Sequence, residues 1–128
     1  MLCQIGIYAD CKDALDHWSA LITVQDNRSP RDMLREIAPF LRQFQLQQDM
    51  HDTESLAAWL TWYLIEAGMG SDTYPARVSL DRAIRGDINC FYKVSPGLVE
   101  VYSVDELLEW KLIAAVEIDR QPLPVEST

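Results

Sequence analysis

Few side chains in this chain can act as nucleophiles or metal ligands. Cysteine occurs at Cys3, Cys11 and Cys90, and histidine at His17 and His51. A catalytic thiolate needs a base or cation beside it to hold its charge. Cys11 and His17 are six residues apart, which on a helix places them on different faces. Cys90 falls on the expected inner side of a hairpin. The count of cysteines is odd and no Cys-x-x-Cys spacing occurs, whereas secreted disulfide scaffolds carry dense, even sets. All three are therefore expected to be reduced, buried structural thiols of a cytoplasmic protein.

Metal-like spacings occur twice. Asp13 and His17 are four apart with Asp10 nearby, and Asp49, His51 and Asp52 form a second group. Neither supplies the third or fourth ordered ligand that zinc requires, so both read as solvated charge and helix caps. Gly68-Met69-Gly70-Ser71 follows an expected helix, while phosphate cradles open one. No Gly-x-Ser-x-Gly, Walker, Rossmann or His-Glu-x-x-His pattern is present. No catalytic residue, metal or cofactor is assigned.

Recognition chemistry is better represented. Trp59, Trp62 and Tyr63 sit within five residues, either as core or as a pocket or hot-spot patch. Trp59 and Tyr63 are expected in the core; Trp62 points elsewhere. Glu100 to Asp119 holds six acids against Lys111, and Asp105, Glu106, Glu109 and Trp110 form its candidate partner-binding face. Just before it, Arg77, Arg82, Arg85 and Lys93 stand against Asp81 and Asp87, a modest basic surface that could contact DNA.

These residues must be carried by elements. The alternation of Cys3, Ile5 and Ile7 suggests a short strand over residues 2–8, weakened by Gly6. Leu15, Trp18, Leu21 and Ile22 have helical spacing and predict an amphipathic helix over 12–22. Ser29-Pro30 is a helix start, with Asp32 in its first turn. Leu34, Ile37, Leu41 and Phe44 give that helix one apolar face, and Pro39 is expected to kink or split it. Asp52 and Thr53 cap the next helix, expected to run to Ala67 and stop at Gly68. Its residues are apolar all round, which predicts a central helix buried on most sides. A short helix is expected over 79–85.

Residues 88–94 and 98–104 flank Ser95-Pro96-Gly97, a type II turn signal, and predict a hairpin. Folding there places Lys93 opposite Glu100 and Phe91 opposite Tyr102, with Cys90, Tyr92, Val94, Val99 and Val101 on one face. Ser103 and Glu106 resemble a capping box, with Tyr102 and Leu107 as its staple, so a last helix is expected from 104 to about 118. Gln121-Pro122-Leu123-Pro124 cannot continue it, which leaves 119–128 as a flexible tail.

The expected fold is α+β: a mainly helical single domain over 1–118, with a C-terminal β-hairpin at 88–104, a last helix, and a short N-terminal strand. With 128 residues one domain is expected, and 48% hydrophobic with 24% charged residues exclude a disordered chain. Eleven basic and twenty acidic residues leave a charge of −9, which weighs against general nucleic-acid binding. No basic n-region precedes an apolar stretch, and residues 56–67 are too short to cross a bilayer, so no membrane role is expected.

Three functions follow from this reading. The leading one is a non-enzymatic acidic protein-binding module: a regulator, adaptor or inhibitor of a basic partner protein. The alternative is a winged-helix-like DNA-binding regulator using Arg77, Arg82, Arg85 and Lys93. The third is a small ligand-binding domain with an aromatic pocket at Trp59, Trp62 and Tyr63. The surplus of large aromatics is also consistent with a homodimer face.

Overall fold

In the computed structural model, residues 2–25, 29–69, 77–105, 107 and 109–118 are described. They form β1 (Leu2–Ile7), β2 (Ala20–Gln25), α1 (Pro30–Gln47), α2 (Thr53–Met69), β3 (Arg77–Asp81), β4 (Cys90–Ser95), β5 (Leu98–Val104) and β6 (Trp110–Glu117). The strands make one six-stranded sheet in the order β3-β2-β1-β4-β5-β6. β1 and β4 are parallel, and every other neighbouring pair is antiparallel. The molecule is α+β, but the expectation of a mainly helical domain is overturned: six strands form one sheet with only two helices among the described residues, and the described C-terminal part is built of the strands β4, β5 and β6.

Both faces of the central strands are covered. Cys3, Ile5 and Ile7 of β1, Ile22 and Val24 of β2, and Cys90, Tyr92 and Val94 of β4 point to the helices. There they pack with Met33, Ile37, Leu41, Leu56, Leu60 and Leu64. On the opposite face Tyr8, Leu21, Ile88, Phe91 and Val104 form a second, smaller cluster, covered by Leu15, Trp18, Ile84, Tyr102 and Trp110. Gly6 serves that second cluster. A Cβ there would lie 2.6 Å from a Tyr8 ring atom and 2.7 Å from a Phe91 ring atom, so the missing side chain is the space those rings occupy.

The two helices begin as their sequences dictate. Ser29 accepts a hydrogen bond from the Asp32 N–H at 3.2 Å, with Pro30 in the first turn. Asp52 accepts from the Ser55 N–H at 3.1 Å. Pro39 lies inside α1, which nonetheless runs as one helix. The hairpin also has its expected register: Lys93 pairs with Glu100 and Phe91 with Tyr102. Gly97 has φ of 83°, the positive value that a type II turn requires of its third residue.

Three expected elements are replaced, and a fourth is buried differently from its expectation. Residues 12–19 are loop, not helix, and Leu21 and Ile22 belong to β2, where they point to opposite faces. The expected helix over 79–85 is the end of β3 followed by a bend. The expected last helix over 104–118 is a turn and then β6. The central, all-round-buried helix is α2, and it is buried on one side only. The expected tail at 119–128, and Glu106 of the capping box, lie outside the described residues.

The cysteine expectation also changes. Cys3 and Cys90 are direct partners across β1 and β4 and form a disulfide with Cα atoms 4.9 Å apart. Both are buried, but they are not thiols. Cys11 is a free thiol and is exposed. No helix among the described residues is long and apolar enough to cross a membrane.

Candidate docking surface

α2 lies against β2 and β3 and presents Leu56, Ala57, Leu60 and Leu64 to the core. Three and four residues on from these positions a helix returns to the same face, so the residues between them point outward. Here the outward set is itself apolar: Ala58, Trp59, Trp62 and Ile65. Trp59 is 52% exposed, Trp62 55% and Ile65 40%. The two indoles meet edge to face with centroids 6.1 Å apart, the geometry their quadrupoles favour. With Ala58 they line a shallow depression of about 400 Å³.

The face is held rigidly from behind. Tyr63, on the side toward α1, stacks on Phe40 at 4.7 Å, and its hydroxyl donates to the Glu36 carboxylate at 3.0 Å. Tyr63, expected in the core, is only partly buried at the core's edge; Trp59, also expected there, is exposed. The charged residues of α2 are Glu54 and Glu66, with Asp52 at its cap. The helix has no lysine or arginine.

The acidic face expected at the C-terminal end is differently built. Asp105 accepts from the Leu107 and Glu109 N–H groups, each at 2.9 Å, and so shapes the turn between β5 and β6. Trp110 is partly buried, with its ring 5.0 Å from Phe91 and 5.9 Å from Tyr102. Leu107, the expected staple, stands exposed. Asp105 and Glu109 are exposed turn residues, not one face of a helix.

Of the four basic residues expected to offer a surface to DNA, three lie on or just after β3 and one lies in β4. Arg77 belongs to β3, and Arg82 follows that strand. Arg85 donates to both oxygens of Asp87, at 2.9 and 2.8 Å. That pairing holds the Asp87 carboxyl below its ordinary range. Lys93 is only 6% exposed. Its ammonium donates to the Cys11 and Asp13 carbonyls, lies 4.0 Å from Glu100, and sits 5.2 Å over the Tyr8 ring. It pins the loop of residues 9–19 to the sheet and has no surface for phosphate.

Polar residues elsewhere are likewise occupied. Gln4 is fully buried; its amide donates to Thr23 at 3.2 Å and to the Ala83 carbonyl at 3.1 Å, and accepts from the Arg85 N–H at 2.9 Å. Asp81 accepts from the Arg82 N–H, the main cause of its lowered carboxyl pKa, and from Thr23. Asp10 accepts from the Lys12 N–H at 2.8 Å, which likewise keeps its carboxyl low. Asp13 accepts from the Asp10 N–H, so that acidic group stabilises a turn. Asp49 accepts from the backbone and ring of His51, both at 2.9 Å. Among the described residues no three His, Cys, Asp or Glu side chains converge as a metal site would require. No protein-family model, curated protein or solved structure matches the chain.

Proposed function

We propose that the protein is a non-enzymatic binding module that docks a basic, amphipathic segment of a partner protein on the outward face of α2. The observation that carries this reading is the pair Trp59 and Trp62, each more than half exposed and packed edge to face on a helix with no positive charge. Exposed tryptophan is the residue type most enriched where binding energy concentrates. Its ring face attracts cations, and a contact of this kind contributes about 0.5–1 kcal/mol when exposed and about 2 kcal/mol when desolvated. Glu54, Glu66 and the overall charge of −9 favour the same sign of partner and steer its approach. The leading reading of the sequence is thus kept, with its site moved from the β5–β6 turn to α2.

The test uses two synthetic helical peptides that differ only in charge: leucines on one face, with lysines and arginines or with glutamates on the other. The cationic peptide should bind, shift the tryptophan emission to shorter wavelength, and weaken at least tenfold against Trp59→Ala/Trp62→Ala, as expected for removing hot-spot residues. Equal binding of the acidic peptide, or indifference to the double variant, would overturn the reading. Sedimentation of the free chain identifies self-association as a competing occupant of the same face.

A further inference from the structure

We propose that the side of α1 facing β6 is a binding site for a small amphiphilic acid, a molecule with a carboxylate head and an apolar body. The inference is independent of the reading of α2. Arg31, Arg35 and Arg42 are spaced four and seven residues apart, so they line one side of α1. All three are exposed. Leu34, Ala38 and Pro39 of the same helix, with Val116 of β6, complete a depression of about 430 Å³. That volume lies within the range of small-molecule sites.

Charge singles this place out. In a chain with a formal charge of −9, one helix side gathers three guanidinium groups. Arg35 has Asp32 at 3.9 Å, with both groups largely exposed, an arrangement that contributes little. Arg31 and Arg42 have no ionic partner among the described residues. Guanidinium presents a planar fork of donors that matches a carboxylate with two parallel hydrogen bonds.

The floor is apolar in a defined way. Leu34 and Val116 pack against the main core and still border the depression, so a methylene chain laid there gains contacts on one side that water does not supply. A bare anion would leave the apolar floor wet, and a neutral lipid would leave the arginines unpaired. An acid with an apolar body meets both.

The experiment titrates the full chain with decanoate, decyl phosphate and decanol, below their aggregation limits, by calorimetry and by the methyl resonances of Leu34 and Val116. Decanoate should bind one per chain, move both resonances, and weaken with added salt. The Arg31→Gln/Arg42→Gln variant should bind it about tenfold more weakly, as loss of charge-assisted hydrogen bonds implies. Arg82→Gln, an exposed arginine outside the site, should bind it as the native chain does. Decanol binding as tightly as decanoate, no response to decanoate, or indifference to the double variant would each overturn the proposal. So would decyl phosphate binding tenfold more tightly than decanoate, because the head group would then be a phosphate.

Discussion

Tyr8 shows how one side chain ties a loop to the sheet and leaves a mark on pH dependence. Its ring is fully buried, meets Phe91 edge to face with centroids 6.5 Å apart, and lies under the Lys93 ammonium; its hydroxyl donates to the Leu15 carbonyl at 2.5 Å. Burial, aided by the nearby Tyr102, Asp16 and Asp13, pushes its phenol well above the ordinary 10.0. The folded chain thus holds this proton more tightly than the unfolded one. The associated stability is complete below about pH 10 and is lost as pH rises toward the folded value. Unfolding followed by circular dichroism should therefore ease progressively above about pH 10. Tyr8→Phe should flatten that alkaline limb, while lowering stability at neutral pH by about 1 kcal/mol through the lost hydrogen bond. Tyr102 is also pushed upward by its burial, so a residual slope should persist. An unchanged limb in Tyr8→Phe would show that another group carries the linkage.

Among the elements, α1 carries a defect that can be repaired. Pro39 is exposed in mid-helix and supplies no donor to the Arg35 carbonyl. Pro39→Ala should stabilise the protein by about 1–3 kcal/mol, up to the difference between the two residues in a helix interior, read as a rise in thermal midpoint. An unchanged or lowered midpoint would show that the proline ring makes contacts worth as much. Where caps and turns are local, the elements were legible: Ser29-Pro30, Asp52 and Ser95-Pro96-Gly97 set their structures within a few residues. β6 was not. The spacing of Ser103 and Glu106 reads as a capping box, yet Ser103 lies within β5, so the helix expected to follow it does not form. Tyr102 opposes Leu112 while Val101 opposes Ala114, so Ile113 is an extra residue on the edge strand, and that bulge breaks the period of two by which a strand is read. Leu15 and Trp18 misled differently, because they cover the second core from a loop and so mimicked a helix face in front of β2. α2 shows the converse error. Apolarity all round predicts burial all round, whereas the outer side is an exposed surface whose tryptophans are its candidate site.

For the whole molecule, the parallel pairing of β1 and β4 is the junction that makes one sheet of two antiparallel halves, and the Cys3–Cys90 disulfide lies across it. The two cysteines are separated by 87 residues. Closing a loop of that length restricts the unfolded chain enough that reduction should lower stability by about 2–5 kcal/mol. Urea unfolding with and without reductant measures this, and coincident curves would show that packing of the two sulfurs suffices. Nothing local in the sequence announced the pairing, since spacing does not reveal which strands become neighbours. The same junction has a consequence during synthesis. β1 leaves the ribosome long before its neighbour β4, and at about 5–20 residues per second the wait for those 87 residues lasts roughly 4–17 s. Through that interval β1 and β2 have their hairpin but no central partner, an unpaired apolar edge that favours retention by chaperones until the second half of the sheet arrives.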